Sequence, residues 1–367
     1  MRERNNPLMK KIDKWVGCPI VYILGLLHKN NPLPQIDDGC MRIALIKTSA
    51  VGDTIILSAI IDEIRNQYPQ CHITVICSKN NFGMVKILHG VNNIELFDMR
   101  SPIKSLMRIG KMKRFKFVLD FGPWPRINSV IAWKINADYR IGFKRADTYR
   151  HYIYDAKVDH LDCLHEIENY RNILRAAGFM VKGFIPDFKT KKHVIKYKRY
   201  VVFHMFPGGA MSLQRSWNID KWIELGKYIY IHYGMTILLS GGKADKNDAE
   251  IIVGKFKNAG VNADNIAGTY NLAEMASVLQ YAQVVISINT GIMHYAAAVG
   301  VPLIAIHGAT SDVRWGPLSE NAVVVKSGED CQPCISLGFE SNCTKPRCME
   351  NVTVDMVTKE LDKILED

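Results

Sequence analysis

Asp53 follows the short run Thr48-Ser49-Ala50-Val51-Gly52, which lies between an apolar stretch and the start of a helical pattern. A carboxylate at that point has two uses. It can complement the helix macrodipole in the first turn, or it can take a proton from a hydroxyl at the mouth of a cleft. Ser49 and Gly52 are small enough to let a substrate approach the backbone. A second loop, Pro207-Gly208-Gly209-Ala210, leads to Ser212, Arg215, Ser216 and Trp217. Its glycines expose backbone N–H groups suited to phosphate, and Arg215 adds a forked, permanent cation. A tight turn with a surface arginine is the plainer alternative. The third loop is Asn289-Thr290-Gly291-Ile292-Met293-His294. Thr290 reads as a helix N-cap, Gly291 permits close approach, and His294 falls one turn on, over the same face. A strand-to-helix junction of this kind is a ready anion site, although such junctions are common.

These loops need elements to hold them. MRIALIK reads as a short buried strand, TIILSAIIDEIRNQYP as a helix stopping at Pro69, and CHITVICS as the next strand. That β-α-β unit implies a parallel sheet with a right-handed crossover. FKFVLDFG adds a strand and HEIENYRNILRAAG a helix closed by Gly178. The pattern then restarts at RYVVFHMFPGGA and alternates strand and helix as far as VPLIAIHG. Two such sets predict an α/β chain of two Rossmann-like, doubly wound domains facing a cleft, with all three loops at the carboxyl ends of strands. The expected divisions are an amphipathic extension and connector over 1–40, a first domain over 41–188, a basic linker over 189–199 and a second domain over 200–367. The first loop has neither G-x-G-x-x-G nor G-K-[ST], which removes most support for a dehydrogenase or an NTPase.

Lys plus Arg number 47 against 36 Asp plus Glu in 367 residues, a net charge of +11 that points to an anionic partner. Residues 100–116 carry seven basic residues and no acid. Nucleic acid is disfavoured, because the basic runs lack interleaved stacking aromatics beyond Phe115 and Phe117. Residues 16–27 form an apolar segment flanked by Lys10, Lys11, Lys14 and Lys29. It is too short to span a bilayer and is followed by no small-residue cleavage site. It reads as an interfacial helix on an anionic membrane, with Trp15 and Tyr22 at headgroup depth, or as a helix packed on the protein's own surface. Nine cysteines in a chain of this length suggest a reducing cytoplasm rather than a disulfide scaffold. Cys331, Cys334, Cys343 and Cys348 cluster at spacings that fit a structural zinc, reduced or redox-labile thiols, or disulfides.

Taken together, IKTSAVGDTIILSAI, HMFPGGA…QRSW, ILLSGG and ISINTGIMHYAAAVGVPLIAIHG resemble glycosyltransferase family 9, the bacterial heptosyltransferases, over residues 41–357. The resemblance implies an inverting GT-B enzyme that needs no catalytic cofactor or metal. Its donor would be a nucleotide sugar such as ADP-heptose, and its acceptor a lipopolysaccharide core or other glycolipid. It would work in the cytoplasm, peripherally on the inner membrane. By the same resemblance Asp53 is the catalytic base and Arg215 the phosphate-binding residue, where a lysine is usual. Asn289, Thr290, Gly291 and His294 form the donor junction, with Gly208 and Gly209 beside them. Two positions depart from the family's pattern: Asn289 and Lys243 stand where acidic residues are common. Both fall on the donor side, so a different donor sugar, or a non-catalytic nucleotide-sugar or lipid-binding relative, is the alternative expectation.

Overall fold

The computed structural model describes residues 11–36, 41–146, 148–188, 193, 195–209, 211–337, 341 and 343–366. The start of the amphipathic extension (1–10), the end of the connector (37–40), most of the basic linker (189–192 and 194) and Ala210 lie outside the described residues. The chain divides into two units, Met1–Phe184 and Ile185–Asp367.

Each unit is built on one parallel six-stranded sheet. In the first, the strands β1 (Arg42–Ile46), β2 (His72–Cys77), β3 (Asn93–Leu96), β4 (Phe115–Asp120), β5 (Ala137–Lys144) and β6 (Ala156–Asp159) lie in the order β3-β2-β1-β4-β5-β6. In the second, β7 (Tyr200–His204), β8 (Thr236–Leu239), β9 (Ala263–Asn265), β10 (Val284–Ile288), β11 (Leu303–Ile306) and β12 (Ala322–Val325) lie in the order β12-β11-β10-β7-β8-β9. The two orders are the same topology. The central strands read RIALI, VVISI and LIAI because helices cover both sheet faces and leave little alternation to see. Strand order reverses between β1 and β4 in one unit and between β7 and β10 in the other. These are the switch points where such sheets open a crevice for ligands.

In the first unit, helix Val51–Gln67 leads from β1 to β2 and packs against helix Glu166–Ala176. Its Glu63 is fully buried and accepts the backbone N–H groups of Lys182, Gly183 and Phe184 at 2.8, 2.8 and 3.0 Å. That carboxylate fastens the last residues of the unit to its core. Helices Pro102–Ile109, Arg126–Lys134 and Cys18–Leu27 share a core built on Ala44, Ile46, Ile76 and Val118.

The two readings of the N-terminal segment are not exclusive. Helix Cys18–Leu27, with the helical turn Asp13–Gly17 before it, packs on the first unit through one narrow stripe: Asp13, Gly17, Val21, Leu24, Gly25 and His28. The steps of three and four keep these on one face. Asp13 pairs with Arg126 at 2.7 Å, and His28 Nε2 lies 3.3 Å from Asp155. A Cβ at Gly25 would sit 2.6 Å from Cβ of Tyr152, so the close approach requires glycine there. The opposite face carries apolar side chains. Among the described residues no helix is long and apolar enough to cross a membrane.

Candidate active site

Strand β1 runs straight into Lys47, and a lysine after four buried apolar residues has no route to water. Lys47 is 1% exposed. Burying an ammonium is costly unless it is paired and hydrogen-bonded, and both conditions are met. Its Nζ lies 2.9 Å from Oδ2 of Asp53, donates to the carbonyl of Phe121 at 3.0 Å, and sits 5.1 Å from the centroid of the Tyr170 ring. Phe121 follows β4, so the lysine bridges the switch point between β1 and β4.

Helix Val51–Gln67 begins after Ala50, which offers no side-chain cap. Asp53 is therefore the acidic residue of the first turn, but its strongest partner is Lys47 rather than the helix's own amides. Its side chain keeps 22% exposure. Ser49 is half-buried in the turn, and Gly52 is buried beneath the first helical residues.

A second carboxylate at the same sheet edge has a different fate. Asp120 ends β4 and is fully buried. It takes hydrogen bonds from Gly122 N at 2.9 Å, Asn128 Nδ2 at 3.2 Å, Tyr154 OH at 2.6 Å and the buried guanidinium of Arg150. Arg150 also donates to the Gly122 carbonyl and, through Nε, to Ser129 Oγ at 3.2 Å. Burial in this group, which outweighs the opposing pull of Arg150, pushes the Tyr154 hydroxyl far above its ordinary value. Thr48 joins the network through its hydroxyl, which donates to Asn128 Oδ1 at 2.8 Å. Asp120 is thus saturated by the fold, whereas Asp53 keeps partial exposure.

In the second unit the other two loops meet at the switch point between β7 and β10. After β7 the chain turns through Pro207 and Gly208 to Gly209, whose φ of 85° is in the left-handed region that favours glycine. A short 3-10 turn, Leu213–Arg215, then sends the guanidinium of Arg215 back across the loops. It donates to the carbonyls of Gly208, Met211 (3.4 Å) and Asn289 (3.4 Å). The structure therefore brings together Arg215, Gly208 and Asn289, which are up to 81 positions apart in the chain.

Thr290 is the N-cap of helix Gly291–Val299, as its type suggests, but its hydroxyl makes no hydrogen bond to the helix's first amides. Instead it lies 3.5 Å from Ser287 Oγ. Gly291 opens the helix, and His294 is buried, so His294 has less access to a ligand than the residues at the helix start. Asn289 donates from Nδ2 to Thr310 Oγ1 at 2.8 Å. An aspartate has no hydrogen to give there, so the departure at this position is matched by its local partner. The other departure, Lys243, is exposed on the 3-10 turn Lys243–Asp245; the carboxylate two residues on, Asp245, accepts from Gly242 N at 2.8 Å.

Two histidines absent from the sequence-based site frame this junction. His204 ends β7, with Nδ1 2.9 Å from Ser240 Oγ. His307 follows β11, with Nε2 3.3 Å from the sulfur of Met293 and Nδ1 3.5 Å from Asn289. Burial lowers both to about 4, so both rings are neutral at neutral pH.

The clustered cysteines do not form the structural zinc site expected as one reading. Cys331, Cys334, Cys343 and Cys348 are free thiols, and among the described residues no group of three or more His, Cys, Asp or Glu could hold a metal ion. Spacing made that site conceivable; in the structure Cys348 is buried, Cys334 and Cys343 are half-buried and Cys331 is exposed. Cys348 is buried against Gly308, and burial first, with the neighbouring cysteines second, pushes its thiol up to about 11. The backbone of Cys334 donates to Ala309 O at 2.9 Å, and the Cys343 carbonyl accepts from Gln214 Nε2 at 2.6 Å. The segment thus braces the loop before Thr310 and the turn that carries Arg215.

Residues 126–343 match the family described as glycosyltransferase family 9 (heptosyltransferase). Lipopolysaccharide heptosyltransferase 3 of Escherichia coli is 34% identical over 308 residues, 76% of this chain and 86% of its own. The lipopolysaccharide core heptosyltransferase OpsX of Haemophilus influenzae is 20% identical across 90% of this chain and 99% of its own. In fold, the chain is similar to the E. coli ADP-heptose lps heptosyltransferase II. Its TM-score is 0.70 at 19% identity, covering 89% of this chain and 99% of that one.

Proposed function

The chain belongs to glycosyltransferase family 9, and from that premise we propose that it transfers a heptosyl residue from ADP-heptose to a lipopolysaccharide core. The observation that carries this reading is the Asp53 carboxylate, partly exposed and held by a buried lysine at the switch point of its sheet. Relatives named for heptosyl transfer to lipopolysaccharide support the choice of donor and acceptor.

Asp53 takes the proton from an acceptor hydroxyl as that oxygen attacks the anomeric carbon of the donor. The bond from that carbon to the diphosphate oxygen breaks in the same displacement, which inverts the anomeric configuration. Negative charge collects on the departing nucleoside diphosphate. Arg215 and the first amides of helix Gly291–Val299 answer it, the guanidinium by charge-assisted hydrogen bonds and the helix by its dipole. These groups do the work that a divalent cation does in other transferases. The enzyme works peripherally on the cytoplasmic face of an anionic inner membrane, where a lipid-linked acceptor is found. The expected domain divisions (1–40, 41–188, 189–199 and 200–367) stand as part of this reading.

Turnover of ADP-, UDP- and GDP-linked sugars with a heptose-deficient core acceptor tests the donor assignment. ADP-heptose is expected to be used at least about tenfold better than the others, a difference of about 1.4 kcal/mol. Preference for a UDP- or GDP-linked sugar would remove the donor claim and leave the fold and the base.

A further inference from the structure

The helix Cys18–Leu27 is built the wrong way round for a helix that merely packs on its own protein. An amphipathic surface helix turns its apolar stripe inward and its polar face to water. Here the inward stripe includes Asp13, Gly17, Gly25 and His28, held by the Asp13–Arg126 ion pair, the approach of His28 to Asp155 and glycine contacts, with only Val21 fully buried. The outward face has Trp15 at 75% exposure, Leu26 at 71% and Leu27 at 67%, with Ile20 and Ile23 between them. Water gains nothing from that arrangement; a hydrocarbon phase does.

The outward face does not stand alone. Val21 and Leu24 pack into the same core as Leu106 and Ile109, so helix Pro102–Ile109 lies on the same side of the sheet as the N-terminal helix. Helix Arg126–Lys134 contacts both. On Pro102–Ile109 the apolar side chains Ile103 and Met107 also face out, one turn apart, beside the exposed cations Lys104 and Lys111, while Arg108 is paired with Glu95. Exposed Lys11, Lys14 and Lys29 flank the first helix. Tyr22 and Tyr152 meet edge to face at 6.2 Å at its margin, a ring type that favours the level of lipid headgroups. Apolar residues at the centre with cations around them match the layered chemistry of a bilayer surface bearing anionic lipid.

We propose that this face of the first unit, formed by helices Cys18–Leu27 and Pro102–Ile109, is a membrane-docking platform for anionic phospholipid. It deepens the reading of an enzyme that works on a lipid-linked acceptor. The platform is folded onto the catalytic unit rather than tethered to it. Arg126, which receives Asp13, is hydrogen-bonded to the Thr148 carbonyl at 2.9 Å, two residues from Arg150 of the Asp120 network. Docking therefore fixes the orientation of the unit that carries Asp53 against the bilayer.

The test is co-sedimentation of the full chain with vesicles of phosphatidylcholine alone or with phosphatidylglycerol added, both free of lipopolysaccharide. Binding to the anionic vesicles is expected, weakening as salt rises. It should fall at least tenfold in the variant L26S/L27S and severalfold in K104E/K111E, while thermal midpoints stay unchanged because all four residues are exposed. Bromine-labelled lipid should quench tryptophan emission in the wild type and lose much of that effect in Trp15→Phe. Absence of binding, binding indifferent to both variants, or a stable dimer that buries this face and ignores vesicles would each overturn the proposal. Transfer to a detergent-dispersed acceptor is measured alongside. Vesicle binding without transfer leaves the platform and removes the enzymatic reading; transfer without vesicle binding does the reverse.

Discussion

The ammonium of Lys47 and the carboxylate of Asp53 lie 2.9 Å apart, one almost wholly buried and the other partly exposed. The lysine is anchored from behind by the Phe121 carbonyl and the Tyr170 ring, so it cannot follow the aspartate if the aspartate moves. It therefore holds one carboxylate oxygen in place, and in the proposed reaction its effect would pass only through Asp53.

Replacing that lysine should separate catalysis from donor binding. Lys47→Met is expected to lower kcat by about 10- to 100-fold, the scale of losing a well-oriented catalytic group. Affinity for ADP, which the proposed mechanism assigns to the second unit, should stay within about twofold by titration calorimetry. Equal losses in kcat and ADP affinity would show that Lys47 does something other than position the base.

Arg215 makes the opposite prediction. Arg215→Ala should weaken ADP binding by about 10- to 100-fold, because hydrogen bonds to a charged group contribute about 1.5–3 kcal/mol. Arg215→Lys should restore part of that loss, since an ammonium keeps the charge but not the fork. Calorimetric titration with ADP and with adenosine checks this: the adenosine affinity should hardly change.

Much of this site could be read from the sequence, and the reason is local. Each motif loop is contiguous, and small residues between an apolar run and a helical pattern mark a strand-to-helix junction wherever they occur. Lys47 was missed because a lysine at the end of a strand reads as the point where the chain returns to solvent. The available signal was that RIALI is buried on both faces, which leaves a side chain one residue on with little water nearby. Asp120 and Arg150 could not be paired from sequence, since they are 30 positions apart and joined only through the sheet and the turn at Arg150–Ile153. The N-terminal segment was legible as apolar, but which face turned inward depended on Asp13, Gly25 and His28 finding Arg126, Tyr152 and Asp155. Cysteine spacing left zinc, thiols and disulfides all open, because it constrains sequence distance and says nothing of where the sulfurs point; the structure has free thiols.

Acid should destabilise the second unit. The folded-state values of His204 and His307 are lowered to about 4, against about 6.5 in an unfolded chain. Between those values the unfolded chain binds more protons, so stability is full above about pH 6.5 and is lost as pH falls toward 4. At pH 5 each histidine should cost on the order of 2 kcal/mol. Thermal unfolding followed from pH 7 to pH 5 should show this slope, and H204N/H307N should flatten it.

Glu63 is expected to be structural and separable from the chemistry. Glu63→Ala leaves the backbone N–H groups at 182–184 without their acceptor; water can reach two of them, so the loss is about 1–3 kcal/mol. Urea unfolding should register that loss, while ADP affinity in the folded fraction stays at the wild-type value.

The most direct test of the central claim is the balance between ADP released and heptose transferred, measured on one sample. Wild-type protein is incubated with ADP-heptose and a heptose-deficient core lipid A, with Asp53→Asn run in parallel. One ADP is expected for each acceptor that gains a heptosyl residue by mass spectrometry. In Asp53→Asn both should fall by about 10²- to 10⁴-fold, the range for loss of a general base, with ADP-heptose still bound. Unchanged transfer in Asp53→Asn, or ADP release with no gain on the acceptor, would contradict the central claim.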